Sequence, residues 1–183
     1  MKLTSDGRPI WTKEIRNHFQ SELNTGKDGG PPGYPNSGKS VRSGVTWVLE
    51  NILPTCGLEG MDEKTCNLSV FSAISPWAES ILYWSASTKL LRKNVRITSV
   101  DFNPCIIDGM PANSVAECRF TLDLVSKPTR FDLILSFSGI EHDGLGRYGD
   151  PINPDGDISA TREMWLLTKP GGVLLVRRNM PYD

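Results

Sequence analysis

The sequence is poor in the residues that build metal centres. Among its 183 residues there are two histidines, His18 and His142, and four cysteines, none of which stands in a C-x-x-C pair. A structural zinc site therefore lacks ligands at the usual spacing. Free buried thiols are the favoured interpretation of the cysteines, and two disulfides in an oxidising compartment are the alternative. The four cysteines are Cys56, Cys66, Cys105 and Cys118.

The sequence also lacks a charge imbalance and a long apolar run. Its 20 basic and 21 acidic residues give a net charge of -1, so there is no clear signal for nucleic acid. No apolar run approaches the roughly 20 residues that span a bilayer, which predicts no transmembrane segment. The first residues, MKLTSDGRPIW, lack the apolar core of a signal peptide. The cytoplasm is therefore the favoured location, and a secretory compartment is the alternative if an anchor precedes this chain.

The chain does contain an alternation of β-rich and helical runs that begins at Leu68. Such an alternation predicts parallel crossovers, and hence an α/β fold with a doubly wound, mostly parallel sheet. The later strands are almost continuously apolar, which is typical of parallel strands buried on both faces. Strands are predicted at 68–72, 95–102, 116–122, 131–138 and 173–177. One helix is predicted at 75–91, with Ser75 as its cap. A second helix is predicted at 157–168, with Asp157 as its cap, and the KPGG run at 169–172 ends it.

The first 60 residues have a different pattern. A helix is predicted from Thr12, as its cap, to Leu23, because apolar residues recur at every fourth position. A glycine- and proline-rich linker or ordered loop follows, and Ser43 is predicted to cap a second helix that Pro54 ends. The predicted domains are 1–60, with these helices and the linker, and 61–183, with the α/β sheet.

The stretch GYPNSGKS, Gly33 to Ser40, fits the phosphate-loop pattern G-x-x-x-x-G-K-[ST]. A working phosphate loop follows a strand and opens a helix. Here the preceding residues, NTGKDGGPP, cannot form a strand, and Gly44 stands where the first turns of a helix would be. A loop in the linker is therefore the favoured interpretation. A nucleotide triphosphatase that uses Lys39 is a minor alternative.

Ligands of an open parallel sheet bind beyond the carboxyl ends of its strands. Three predicted loops meet this condition: SAISPW, VDFN and SFSGIEHDGLGRYGD. Asp101, at the end of the second strand, can accept hydrogen bonds from both ribose hydroxyls of an adenosine. A solvated aspartate at a strand end is the alternative. The candidate cofactor-binding residues in these loops are Ser72, Ala73, Ser75, Asp101, Phe102 and Phe137.

The third of these loops is the densest in chemical groups. His142 can act as a general base near neutral pH, and Glu141 can orient it or the substrate, which makes them the candidate catalytic residues. Arg147, Tyr148 and Asp150 are the candidate substrate-binding residues, since an arginine can hold an anionic group by two contacts. The alternative is an internally bonded structural loop in which Arg147 pairs with Asp150.

The segment FDLILSFSGIEHDGLGRYGDPINPDGD, with SAISPW and KPGGVLLV, resembles a family of uncharacterised proteins known from Caenorhabditis, domain of unknown function 268. The resemblance covers roughly 68–176. That family in turn is similar to the class I S-adenosylmethionine-dependent methyltransferases. The resemblance implies a Rossmann-like sheet of strand order 3-2-1-4-5 in 61–183, S-adenosylmethionine as cofactor and methyl transfer to an unknown acceptor. It also implies that Asp101 is the ribose-binding acid and that Glu141 and His142 match an E-H pair after the fourth strand.

The sequence departs from that superfamily in two places. The first loop, FSAISPW, lacks the usual glycines, and the sixth and seventh strands do not follow RRNMPYD. Without those strands the fifth strand is an exposed edge, so we expect a partner or a missing segment to cover it. A non-catalytic binding module that has lost its cofactor is therefore the alternative function.

Overall fold

A computed structural model of the chain describes residues 2–3, 9–30, 36–53, 65–71, 77–89, 94–101, 106–107, 116–119, 130–147 and 149–177. These residues form two sheets with helices packed on the larger one. The elements are β1 (Lys2–Leu3), β2 (Pro9–Trp11), α1 (Lys13–Asn24), α2 (Ser37–Asn51), β3 (Thr65–Phe71), α3 (Trp77–Lys89), β4 (Asn94–Val100), β5 (Ile106–Ile107), β6 (Ala116–Arg119), β7 (Phe131–Phe137), a 3-10 turn at Ile140–His142, α4 (Gly156–Leu167) and β8 (Thr168–Arg177).

The larger sheet has five strands in the order β6-β4-β3-β7-β8, and all four neighbouring pairs are parallel. If only the five strands of this sheet are numbered in chain order, with β3 as strand 1 and β8 as strand 5, the order is 3-2-1-4-5. This agrees with the order that the resemblance implied. The predicted α/β class and parallel sheet are confirmed. A small second sheet has the order β1-β2-β5, in which β1 and β2 are antiparallel and β2 and β5 are parallel.

Both faces of the large sheet are buried, as expected for parallel strands. One face packs against α2 and α3, and α1 packs on α3, in a core that includes Leu68, Val70 and Ile97 of the sheet. The opposite face packs against α4 through Ile134 and Met164. The first core draws on residues from both sides of position 60, since α1 and α2 contribute to it. The proposed domain boundary at residue 60 stays a prediction.

The first helix forms as predicted, and its cap is the predicted residue. The backbone N–H of Ile15 donates to the Thr12 hydroxyl at 3.4 Å. Phe19 and Leu23 are buried against α3. The amide of Gln20 adds a hydrogen bond of 2.9 Å to the carbonyl of Ser80. The apolar periodicity of this segment was therefore a sound guide.

The predicted start of the second helix is wrong. This helix begins at Ser37 instead of after Ser43, so the second half of GYPNSGKS is its first turn. Its N-cap, Asn36, has a left-handed backbone and makes no capping hydrogen bond through its side chain. The cap comes instead from Asp28, whose carboxylate accepts from the N–H groups of Gly38 (3.1 Å) and Lys39 (2.7 Å). This contact spans ten residues and is invisible to local cap rules.

The same contact bears on the phosphate-loop interpretation. The N–H groups at a helix N-terminus are those that a phosphate would use, and here two of them already donate to Asp28. Gly38 and Gly30 are glycines for a packing reason, because a Cβ on either would collide with the backbone of the other segment. The strand that a phosphate loop needs is absent from the described residues 25–30 and 36, and 31–35 lie outside the described residues.

The last helix and strand also depart from their predicted boundaries. Helix α4 begins at Gly156 with Asp155 as N-cap, whereas Asp157 bonds the N–H of its neighbour Ile158. Strand β8 begins at Thr168, so the KPGG run belongs to the strand and does not precede it. Pairing with β7 shifts register within this run, where Gly171 has a positive φ of 77°. A glycine adopts that conformation at little cost.

Cys66 is buried in β3 and is disulfide-bonded. The favoured prediction of free thiols is therefore wrong at this position, and the disulfide alternative is correct there. Cys56 and Cys105 lie outside the described residues, as do the predicted cap Ser75 and the end of the predicted strand 116–122.

None of the helices in the described part of the chain has the length and apolar character needed to cross a bilayer.

Candidate functional site

The carboxyl ends of β3, β4 and β7 lie side by side. Phe71 of β3 is in register with Val100 of β4 on one side and with Ser136 of β7 on the other. Asp101 and Phe137 therefore stand at the same level, one residue beyond this row. From β3 the chain first adds strands on one side of the sheet (β4, β6) and then on the other side (β7, β8), so the strand order switches direction between β3 and β7. The carboxyl ends of the strands at such a switch point are where open α/β sheets bind their ligands. We refer to this edge and the loop 138–150 as the cleft.

Glu79 is the most buried acid beside the cleft. It lies in the first turn of α3, is 2% exposed and accepts a short hydrogen bond (2.6 Å) from the hydroxyl of Ser99. Ser99 and Asp101 are two positions apart, so their side chains point to the same face of β4, the face that α3 covers. Burial raises the pKa of Glu79 to about 7, and the charge of Asp101 adds to the rise.

The loop after β7 turns sharply at Ser138. This residue has a φ of 49°, a left-handed conformation that is uncommon for a residue with a side chain. Its hydroxyl donates to Oε1 of Glu141 at 2.6 Å, and its backbone N–H donates to the carbonyl of Arg177 at 2.8 Å. The turn therefore fixes the carboxyl group of Glu141 close to the end of the strand.

Asp143 follows the 3-10 turn and stands among other acids. Its pKa rises to about 7, first because of burial and then because of four carboxylates. In decreasing order of effect these belong to Asp150, Asp101, Glu163 and Glu141. The residues come from four places in the chain, namely the loop itself, the position after β4, α4 and the 3-10 turn. An acid with a pKa near neutral pH can exchange a proton with a ligand under physiological conditions.

Asp150 closes the loop. Its Oδ2 accepts from the N–H groups of Gly144 (2.8 Å) and Gly146 (3.2 Å). Gly144 has a φ of 83°, and a Cβ there would collide with the carbonyl oxygen of Asn153. The glycines of EHDGLGRYGD thus permit a tight loop that holds Asp143 in place. Asp150 therefore bonds within its own loop, through backbone N–H groups. Its pairing with Arg147 and its role toward a substrate stay predictions.

Phe137, the last residue of β7, forms part of an aromatic group at this edge. Its ring meets the Trp77 ring edge-on, with centroids 4.9 Å apart, and the guanidinium of Arg177 lies over it at 5.3 Å. Nη1 of Arg177 is buried and makes no hydrogen bond within the described part of the chain. The side chain of Arg177 therefore lies at the same edge of the sheet as Asp101. It lies on the face of the sheet that α3 covers, where Trp77 and Phe137 pack together.

The structure brings together several of the predicted site residues. Asp101, Glu141 and Asp150 all act on the pKa of Asp143. His142 is half-buried in the 3-10 turn, and Arg147 is exposed. Five predicted residues lie outside the described residues: Ser72, Ala73, Ser75, Phe102 and Tyr148. The roles assigned to all of these residues stay predictions.

Sequence reasoning missed Glu79 and gave Asp143 no role. A signal for Glu79 existed, because it is the only charged residue in the run from Ser72 to Thr88, in which apolar residues surround it. An acid in such a run is exposed, paired within the fold or functional, and the place of Glu79 in the first turn of α3, which follows β3, puts it near the cleft. Asp143 carried no signal of its own, since its environment depends on α4 and β4.

The described residues hold no group of three or more His, Cys, Asp or Glu side chains arranged to bind a metal ion. Two acids with a pKa near 7, Glu79 and Asp143, lie near the edge where open parallel sheets bind their ligands. No curated protein and no solved structure matches the chain. Residues 69–183, more than half of the chain, match the family described as Caenorhabditis protein of unknown function, DUF268, and the chain therefore belongs to that family.

Proposed function

We propose that the protein is an S-adenosylmethionine-dependent methyltransferase of Rossmann-like fold, acting on an unknown acceptor. The observation that carries the proposal is the position of Asp101. This acid directly follows the second strand of a parallel 3-2-1-4-5 sheet and stands level with the end of β7. A carboxylate at that position can accept hydrogen bonds from both hydroxyls of a ribose.

Among the acids at this edge, Asp101 is the one whose position supports a nucleoside ligand. Oε2 of Glu79 also has no hydrogen-bond partner in the described part of the chain, but it is buried too deeply to meet a ligand without a side-chain movement. Backbone contacts from the loop after β3 would come from 72–76, which lie outside the described residues. When bound, S-adenosylmethionine supplies an activated methyl group.

The chain's own contribution would be position and proton transfer. Holding the acceptor in line with the methyl group removes much of the entropic barrier. The acceptor must lose a proton during or before attack, and Glu141 or His142 can receive it. The short bond from Ser138 fixes Glu141 for this role.

Calorimetric titration with S-adenosylmethionine and with S-adenosylhomocysteine tests the proposal. We expect both to bind, and Asp101→Asn to weaken both by about ten-fold, since each buried hydrogen bond to a charged group is worth about 1.5–3 kcal/mol. Glu50→Gln is the matched control, because Glu50 is exposed and pairs with Lys89 on helices at the other end of the sheet. Failure of both compounds to bind at millimolar concentration would refute the proposal.

A non-catalytic binding module remains the second candidate. The observation that favours it is that Asp150 and Glu141 bond within their own loop. This candidate predicts nucleoside binding without turnover. Formation of S-adenosylhomocysteine in the presence of cell extract as acceptor source, lost in Glu141→Gln and kept in Glu50→Gln, would exclude it.

A further inference from the structure

Cys66 has a disulfide partner elsewhere in the chain. Its side chain is fully buried in β3, and its sulfur is bonded to a second cysteine. The chain has three other cysteines, Cys56, Cys105 and Cys118. A disulfide joins residues whose Cα atoms are about 4.4–6.8 Å apart. The described strands and helices limit which of the three cysteines can come that close to Cys66.

Cys118 is excluded by the register of the sheet. It lies in β6 opposite Ser99 of β4, and Ser99 lies opposite Val70 of β3. Cys118 is therefore two strands away from β3 and level with a residue four positions beyond Cys66. With about 4.8 Å between strands and about 3.3 Å per residue, the two Cα atoms are about 16 Å apart. No change of side-chain rotamer spans that distance.

Cys105 is disfavoured by the length of chain that leads to it. Cys66 lies opposite Val95, and Asp101, which directly follows β4, is six positions further along, about 20 Å away. The four residues from Asp101 to Cys105 span about 14 Å at full extension. A bond to Cys66 therefore needs a fully extended chain that runs straight back toward the amino end of the sheet. The next residue, Ile106, instead pairs with β2, and β5 contacts β6, two strands from β3.

The position of α2 favours Cys56. Glu50, in the last turn of α2, forms an ion pair with Lys89, the last residue of α3. Helix α3 runs from the carboxyl end of β3 to the amino end of β4, so this pair marks the amino edge of the sheet. Leu53, just after α2, is buried in the same core as Cys66. Cys56, which lies outside the described residues, follows Leu53 by three residues, a span of at most about 11 Å. Cys66 is the second residue of β3, at the same edge.

We propose that Cys56 and Cys66 form a disulfide that ties the end of α2 to the amino end of β3, and that the protein acquires this bond in an oxidising compartment. Disulfides form and persist in secreted proteins and in the lumen of the secretory pathway, and they are rare in the cytosol. Formation of the bond removes two protons and two electrons from the two thiols. A disulfide-carrying oxidant such as oxidised glutathione takes both by thiol–disulfide exchange and leaves as two thiols.

The bond lies at the edge of the sheet opposite the cleft, so it is independent of the methyl transfer proposed above. It also crosses the predicted domain boundary at residue 60. The helices before that position would therefore be tied to the sheet by a covalent bond as well as by the shared core.

Peptide mapping without reduction tests the pairing, after free thiols are blocked with N-ethylmaleimide. Trypsin cleaves between Cys56 and Cys66 and leaves them on peptides 43–64 and 65–89. We expect these two peptides to be joined before reduction and separate after it. A link from 65–89 to the peptide 97–119, which carries the other two cysteines, would overturn the assignment. A blocked thiol at Cys66 would overturn it too.

The variant Cys56→Ser tests the same pairing without disturbing the buried side chain of Cys66. We expect its Cys66 thiol to react with N-ethylmaleimide in denaturant, whereas Cys118→Ser, the control, should keep Cys66 bonded. A bonded Cys66 in Cys56→Ser would contradict the assignment. If Cys56→Ser does not fold, the peptide map of the parent protein decides.

The compartment is tested on the native protein, trapped with acid and N-ethylmaleimide as its cells are lysed, so that no bond forms afterwards. We expect Cys56 and Cys66 to be joined and free of the reagent. If both carry the reagent in the trapped protein but are joined in the purified protein, the bond forms on exposure to air. That result would overturn the oxidising compartment.

Discussion

The two ends of the parallel sheet each contain a buried acid, and the two acids differ in their hydrogen-bond and ion-pair partners. At the amino end, Asp132 of β7 accepts from the N–H of Asn67 and from Nζ of Lys169, both at 2.8 Å. At the carboxyl end, Oε2 of Glu79 has no hydrogen-bond partner among the described residues, and Asp143 stands among carboxylates. Asp132 and Glu79 are both buried, so burial alone does not separate them. The difference lies in the partners, because Asp132 is paired with a cation and a backbone N–H, whereas the described residues give the second oxygen of Glu79 no donor.

The largest expected effect is at the amino end. Asp132→Ala leaves the Lys169 ammonium and the Asn67 N–H without their acceptor, so we expect the free energy of unfolding to fall by about 3 kcal/mol. Denaturant titration at neutral pH measures it. The double variant with Lys169→Met should recover part of the loss, because it removes the unpaired cation. A loss below about 1 kcal/mol would mean that the ion pair is as weak as a surface pair.

The disulfide of Cys66 should also strengthen the amino end, since Cys66 is the second residue of β3. We expect Cys66→Ala to reduce the free energy of unfolding by about 2–4 kcal/mol. The parent protein should lose a comparable amount on reduction with dithiothreitol, whereas the variant should respond less. Mass spectrometry of unreduced peptides identifies the bond, and a free Cys66 thiol in purified protein would contradict it.

At the carboxyl end, the stability of the fold should depend on pH through Glu79. The pKa of Glu79 is about 7 in the folded protein, above its ordinary value of 4.5, so the folded state binds more protons between these values. Its contribution to stability is therefore fully present below about pH 4.5, falls as the pH rises and is lost above about pH 7. Glu79→Gln should be more stable than the parent at about pH 8 by roughly 2–3 kcal/mol.

Thermal unfolding of Glu79→Gln and of the parent across this pH range measures the effect. Glu50→Gln serves as control, because Glu50 is exposed and should not change the slope. If the parent and Glu79→Gln show parallel pH profiles, Glu79 is not the buried titrating acid described above.

The smallest effect is expected at the first turn of α2, away from the sheet. Asp28→Ala removes the acceptor of two backbone N–H groups, and we expect a loss of about 1 kcal/mol of stability. Magnesium-ATP should not bind the parent detectably by calorimetry. Binding that is lost in Lys39→Ala would restore the phosphate-loop interpretation, which the Asp28 contact argues against.

The fold was predictable to a large extent because most of its strands and helices have a recognisable apolar pattern in the local sequence. The run FDLILSF is buried throughout, and Ile15, Phe19 and Leu23 repeat on one helical face. The wrong element boundaries are those that depend on contacts between residues distant in the sequence. The start of α2 depends on Asp28, and the start of β8 depends on pairing with β7 through a register shift. No local pattern reports either of these contacts.

The candidate site was predictable in its location and less so in its chemistry. The rule that ligands bind beyond parallel strand ends selected Asp101 and the loop 138–150. It could not select Glu79, because the burial of that residue results from α3 packing over β4. Nor could it predict that Asp150 would bond the backbone of its own loop, since that depends on the conformation of two glycines.

The sequence by itself determined the α/β class, the order of helices and strands along the chain, and the family, because apolar periodicity and the EHDGLGRYGD run are local properties. Only the tertiary structure decided which acids are satisfied and which are not. A carboxylate's pKa depends on the charges and hydrogen-bond donors near it, and for Asp143 those come from residues as far apart in the chain as Asp101 and Glu163.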